Sequence, residues 1–160
     1  MMRIRKYTST DAAAILSWTR DEKAFYQWSA GVLGTYPITE EDFAFVENLD
    51  AFTAYDDDGI VGFFTLRKPS EQNILRIGFV IVDPDKRGKG YGKQMMKLAL
   101  GIAFERGAEA VSLGVFENNL PAYYCYKAAG FEDVVLDETE TYEVLGETWN
   151  CREMIRRNEG

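Results

Sequence analysis

The sequence contains no histidine. That absence excludes Ser/His/Asp triads, Cys/His nucleophile pairs, His-ligated zinc and imidazole acid–base work. Any chemistry falls to carboxylates, tyrosine, lysine, cysteine, backbone amides or a cofactor, and no metal is expected. Cysteine is scarce: Cys125 and Cys151 are the only two, neither in a Cys-x-x-Cys pair, so no disulfide framework is expected. No run approaches the roughly 18 apolar residues of a membrane span. The start, Met1-Met2-Arg3-Ile4-Arg5-Lys6, lacks the apolar stretch of a secretion signal. A reducing, cytoplasmic setting without a membrane partner is the expectation. Positive charge is in short supply, with 18 Lys and Arg against 26 Asp and Glu and a net charge of -8. Nucleic-acid binding needs basic surface to displace counterions from phosphates, so nucleic acid is not an expected partner. An acidic surface favours cationic partners.

What is present suffices for a core. Of 160 residues 46% are hydrophobic, and the aromatics include 3 Trp, 9 Tyr and 10 Phe. There is no repeat, low-complexity tract or Pro/Gly/Ser-rich linker, so residues 1–160 are expected to form a single domain. A short strand is expected over 2–7, helices over 12–18 and 21–28, and a helix from the cap Thr39 to about Asn48. Strands follow at 51–55 and 60–66 around the turn Asp56-Asp57-Asp58-Gly59. Residues 74–82 read as a central strand: alternation puts Leu75, Ile77, Phe79 and Ile81 on one face and Ile74, Val80 and Val82 on the other. A helix over 90–106 carries Tyr91, Met95, Leu98 and Ile102 at helical spacing. Residues 110–116 are a strand, 120–129 a helix, and strands are expected near 131–136, 141–145 and 149–155. This order describes a mixed α/β layout around one sheet.

The most informative stretch is Val82-Asp83-Pro84-Asp85-Lys86-Arg87-Gly88-Lys89-Gly90-Tyr91-Gly92-Lys93. A strand runs into a loop with three glycines in five residues, and a helix starts there. Glycines admit a ligand close to the backbone, and a helix N-terminus offers unpaired N–H donors, so the segment reads as an anion site suited to a pyrophosphate. A Walker A loop is excluded because Gly92-Lys93 is followed by Gln94 and Arg87 stands five places before Gly92. The dinucleotide pattern Gly-x-Gly-x-x-Gly fails at Lys93. Arg-x-x-Gly-x-Gly fits as Arg87, Gly90 and Gly92.

This loop resembles the acetyl-CoA-binding loop of the GNAT superfamily of N-acyltransferases. A second match lies downstream, where Asn119, Ala122, Tyr126, Gly130 and Phe131 reproduce an Asn-x-x-Ala-x-x-x-Tyr-x-x-x-Gly-Phe pattern. The resemblance implies a GNAT fold: a central mixed sheet of six to seven strands flanked by about four helices. It implies that the backbone of Val80, Ile81 and Val82 pairs with the pantetheine arm like an added strand. Amides from Arg87, Gly88, Lys89, Gly90, Tyr91, Gly92 and Lys93 would hold the pyrophosphate. Asn119 would contact the cofactor arm, and Tyr126 would protonate the leaving thiolate. In that family the strand after the central one splays away, and Gly78 and Gly114, each inside a strand, suit such an approach or a simple packing need. The implied activity is transfer of an acetyl group from acetyl-CoA to a primary amine by direct attack. A non-catalytic coenzyme A-binding module of the same fold is the alternative.

The general base departs from the family pattern: Gly114 and the acid-free strand 74–82 stand where members carry a glutamate. Glu22, Glu71 and Glu117 are candidates by position, alongside a water chain. Cys125 invites an acyl-cysteine route, against which stands the lack of any base to activate it. The aromatic segment Trp18, Phe25, Tyr26, Trp28 and Tyr36 is expected to wall the acceptor site, with Asp21 or Glu22 holding a cationic amine. The Trp18 to Trp28 spacing resembles the branch with ribosomal-protein N-terminal acetyltransferases. The expected acceptors are a peptide N-terminus, a lysine, a polyamine or an aminoglycoside, and a homodimer is compatible with this reading.

Overall fold

The computed structural model describes residues 1–159. Eight strands form one sheet: β1 (Arg3–Lys6), β2 (Asp50–Asp56), β3 (Gly59–Arg67), β4 (Ile74–Val82), β5 (Ala110–Phe116), β6 (Glu132–Val134), β7 (Glu140–Val144) and β8 (Glu147–Arg157). The order is β1-β2-β3-β4-β5-β8-β6, with β7 also pairing β8. The count exceeds the expected six to seven because β6 and β7 are separate short strands on one long partner, against Glu153–Ile155 and Glu147–Cys151 of β8. Only β4 and β5 run parallel; the other pairs are antiparallel. The parallel step needs a crossover, which α4 (Tyr91–Glu105) supplies.

Helices cover both faces. On one side α4 and α5 (Leu120–Ala128) pack over a core including Phe64, Ile77, Met95, Met96, Leu113, Tyr126 and Met154. On the other, α1 (Ala12–Ser17), α2 (Glu22–Ser29) and α3 (Glu40–Phe43) cover Ile15, Trp18, Phe25, Phe43, Phe63 and Ile81. The helix expected to reach Asn48 is α-helical only to Phe43 and continues as a 3₁₀ turn over Ala44–Asn48. Within α4 the buried face is Met95, Met96, Ala99, Leu100 and Ala103, while Leu98 is exposed. Apolar residues surround much of this helix, so spacing alone did not single out the inward stripe. Among the described residues no helix is long and apolar enough to cross a membrane.

The two faces of β4 do not alternate as expected. Thr65 pairs with Gly78 and Phe63 with Ile81, so β4 carries one residue more than β3 across this step. That is a β-bulge, and Phe79 absorbs it with φ +49°, in the left-handed region. The extra residue shifts the phase. Leu75 and Ile77 share their core with Val80 and Val82, whereas Phe79 and Ile81 pack on the opposite side.

Candidate active site

The bulge positions the site. β4 and β5 pair only over Ile74–Arg76 and Ala110–Ser112, and beyond Arg76 the strands part. The β5-facing edge of β4 is left without a ladder partner where the resemblance expected Val80, Ile81 and Val82 to accept one. A cleft of about 500 Å³ fills the gap, lined by β4 from Ile77 to Val82, by Leu113, Gly114 and Val115 of β5, and by α5.

At one end of the cleft is the glycine loop. Gly88 and Gly90 have φ of +80° and +79°, values a side chain strains to adopt. Gly90 is the N-cap of α4 and has no side chain to satisfy the first turn. Within the described residues no protein acceptor meets the backbone N–H of six consecutive residues, Gly88 to Lys93. Unpaired donors at a helix start attract an anion. Arg87, Gly88, Gly90, Tyr91, Gly92 and Lys93 line the cleft. Lys89 is exposed and lies outside the lining.

Asn119 and Tyr126 meet on the same wall. Asn119 is the N-cap residue of α5, yet its side chain makes no capping bond and the residue lines the cleft. Tyr126 is 7% exposed, its ring packs edge-on against Phe131, and no protein group hydrogen-bonds its hydroxyl within the described residues. Burial, reinforced by the neighbouring Cys125, pushes the phenol well above its ordinary value. Burial also raises the Cys125 thiol. A protonated thiol is a poor nucleophile, so the acyl-cysteine route has no support. What Cys125 does is pack: a Cβ on Gly92 would lie 3.0 Å from its sulfur, so the close approach of α4 to α5 uses both residues.

Gly78 and Gly114 both line the cleft and both answer to packing. A Cβ on Gly78 would lie 3.2 Å from Thr65 Oγ1, and one on Gly114 would lie 3.0 Å from Arg76 Nη2 and 3.1 Å from Cys151 Sγ. Arg76 reaches past β5 to form a two-bond ion pair with Glu153 of β8, at 2.8 and 3.1 Å.

The acceptor side is built by α2 and the segment before it. Trp18, Thr19, Ala24, Gln27 and Trp28 line it, with Asn118 opposite. The Trp28 indole N–H donates to the Phe79 carbonyl at 2.8 Å, so α2 is pinned to the bulge itself. Gln27 Nε2 donates to Asn118 Oδ1 at 3.1 Å across the rim. These polar contacts join residues far apart in sequence and left no local signal. Phe25, Tyr26 and Tyr36 belong to the packing beneath and do not line the cleft. Asp21 and Glu22 do not line it either: Asp21 caps α2 by accepting from the Ala24 N–H at 2.7 Å, and Glu22 is exposed. None of the three expected bases faces the cleft. Glu71 is exposed outside it, and Glu117 accepts a hydrogen bond from Asn150.

A model of the acetyltransferase (GNAT) family matches residues 13–131, which span the glycine loop, Asn119 and Tyr126. The chain belongs to the GNAT family. Among curated relatives, streptothricin acetyltransferase from Streptomyces lavendulae is 37% identical over 100 residues, covering 61% of this chain and 53% of that protein. Mycothiol acetyltransferase from Clavibacter sepedonicus is 34% identical over 85 residues, covering 52% of this chain and 27% of that protein. The chain thus spans about half of the first of these relatives and about a quarter of the second. Of solved structures, spermidine N-acetyltransferase from Vibrio cholerae, in complex with CoA and spermine, aligns with a TM-score of 0.80 at 15% identity, covering 98% of this chain and 95% of that one. The ribosomal-protein-S18-alanine N-acetyltransferase from Escherichia coli aligns at 0.71 with 19% identity, covering 98% and 94%. At such identities these structures establish the GNAT fold, and the ribosomal-protein enzymes are one group of neighbours among several.

Proposed function

We propose that residues 1–160 form a single GNAT domain that transfers an acetyl group from acetyl-CoA to a primary amine by direct attack. The observation that carries the reading is the arrangement within one cleft: unpaired amides at one end, an unzipped strand edge along the floor, and the Tyr126 hydroxyl in the wall. The Gly88–Lys93 amides, with Arg87 and Lys93, would hold the pyrophosphate. The open β4 edge over Val80–Val82 would hydrogen-bond the pantetheine arm as a neighbouring strand does. The Asn119 side chain is free to contact the same arm. Acetyl-CoA, when bound, supplies the activated acetyl group.

Tyr126 is suited to protonate the departing thiolate because it is protonated throughout the working pH range. Its high proton affinity does not defeat the transfer. Burial in this wall disfavours a thiolate as it disfavours a phenolate, so a leaving sulfur there would readily take the proton. With no carboxylate at hand, the amine attacks in its neutral form and the cleft contributes orientation. The acceptor classes follow the relatives' names, which include a spermidine and an aminoglycoside acetyltransferase, together with peptide N-termini and lysines. The net charge of -8 draws cationic amines toward the molecule at long range. The two unpaired cysteines fit a reducing, cytoplasmic setting.

The test is release of free thiol from acetyl-CoA across a panel of primary amines, with binding followed by calorimetry. Turnover with any amine supports the transferase. Tight binding of acetyl-CoA without turnover on the whole panel assigns the chain instead to non-catalytic coenzyme A binding.

A further inference from the structure

We infer that the acceptor is a weakly basic amine that enters the cleft as its free base and is recognised by an uncharged wall. This inference rests on the transferase reading and narrows its substrate class. Among the described residues no Asp or Glu lines the cleft, and its charged residues there, Arg87 and Lys93, are both cations at the anion end. Each acid in the flanking elements is held elsewhere or faces solvent. Asp83 accepts from the Asp85 N–H at 3.0 Å, Asp85 pairs with Arg20 at 3.0 Å, and Asp21 caps α2. Glu117 is bonded to Asn150, and Glu153 is paired with Arg76. Of the lining groups that could lose a proton to become anions, burial raises Cys125 and Tyr126, which keeps both neutral.

Aromatic faces are no substitute. Trp28 is enclosed by Phe25, Phe43 and Phe79, with ring centroids 6.2, 5.7 and 6.1 Å away, and its N–H is given to Phe79. Trp18 is 6% exposed, so little of its ring is open to a ligand. An ammonium entering here loses its water and gains no counter-charge, which is unfavourable. A neutral amine loses little. Gln27 and Asn118 supply the polarity of the rim, and both are uncharged. Selection among amines is thereby made by their own basicity. At pH 7 about one in ten α-amines of an amino-acid amide is neutral, against about one in 2,500 of lysine-like alkylamines.

Phenylalaninamide and phenethylamine share an aromatic body and differ in basicity, and they test this directly, with spermidine as a polycationic third acceptor. The kcat/KM at pH 7 should favour phenylalaninamide over phenethylamine by about two-hundredfold, narrowing to about tenfold at pH 9.5. The rising limb of each pH profile should sit at that acceptor's own pKa. Gln27→Glu places a carboxylate on the wall, and it should raise kcat/KM for phenethylamine and spermidine at pH 7 by about tenfold. Equal use of all three acceptors at pH 7, or one rising limb shared by all, would overturn the inference and leave the transferase standing. No turnover with any amine while acetyl-CoA binds would overturn the transferase reading, and this inference with it.

Discussion

Replacing Tyr126 with phenylalanine removes one oxygen from a ring that keeps all its other contacts. The edge-on contact with Phe131, at 6.1 Å between centroids, survives the change. The hydroxyl has no protein partner among the described residues, so its loss leaves no donor or acceptor stranded. The hydroxyl oxygen is not sealed from solvent, so removing it saves at most part of the about 1–3 kcal/mol that a fully buried, unpaired hydroxyl costs. Tyr126 also lines the open cleft, where water offsets part of that cost. The variant should therefore be as stable as the parent or up to about 1 kcal/mol more stable, a rise of no more than about 4 °C in Tm for a chain of this size. Turnover should move the other way, with kcat falling roughly ten- to a thousand-fold as the proton donor is lost. Acetyl-CoA affinity should stay within about threefold, since the glycine loop and the β4 edge are untouched. The sign of the pH effect also follows. A phenol whose pKa is raised stays protonated to higher pH, so Tyr126 produces no falling limb below about pH 10. The assay is single-turnover thiol release beside a thermal melt and calorimetry on the same preparation. Full kcat in the variant when chemistry limits the rate would refute the acid role. A Tm lowered by several degrees would show the hydroxyl to be structural.

Three further outcomes are expected. Gly90→Val puts a β-branched side chain at φ +79° among the unpaired amides, which should cost about 1–2 kcal/mol in a urea melt and abolish calorimetric binding of acetyl-CoA; unchanged affinity would disprove the anion site. Gly92→Ala brings a methyl to 3.0 Å from Cys125 Sγ, and the melt should show about 1–3 kcal/mol lost, most of it recovered in Gly92→Ala with Cys125→Ala; additive effects of the two changes would show no contact. Burial pushes the Asp11 carboxyl up, but bonds from Arg5 (2.8 Å), the Thr8 N–H (3.1 Å) and Thr53 (2.9 Å) outweigh this and hold it below its ordinary value. A depressed carboxylate stabilises the fold above its unfolded pKa near 4 and loses that contribution as pH falls through the lower folded value, so Asp11→Asn should cost about 1–3 kcal/mol at pH 7 and much less near pH 2; a pH-independent gap in urea midpoints would contradict this.

Local chemistry was well encoded in the sequence, and long-range geometry was not. The glycine loop could be read because strand end, glycines and helix start are contiguous. Asn119 and Tyr126 could be picked out because they fall on the pattern that resembles the family's, and helical spacing places them on one side of α5 and its cap. The phase of β4 could not. Phe79 fits the alternation of its neighbours, and nothing in its identity announces a positive φ that β3 and Trp28 impose from outside. The face of α4 was blurred because the exposed Leu98 is as apolar as the Met96 and Leu100 that go inward. The expected bases and the acidic acceptor contacts were chosen by chain proximity. The structure turns Asp21, Glu22, Glu71 and Glu117 to caps, partners or solvent, and fills the acceptor wall with Gln27 and Asn118.

The short β4–β5 ladder divides the sheet mechanically. Three residues on each strand form the ladder between the half formed by β1 to β4 and the half formed by β5, β8, β6 and β7, and one more backbone bond, from the Glu109 N–H to the Asn73 carbonyl, extends it. The Arg76–Glu153 ion pair lies beside that ladder and ties the halves at the same narrow place, like a pin at the apex of a hinge. Each half keeps its own long antiparallel pairings, so opening strain concentrates at the apex and spares the ladders on either side. A molecule lying along the wedge would clamp both leaves at once. Its binding free energy would then appear as resistance of the two halves to separating under heat, denaturant or pulling force.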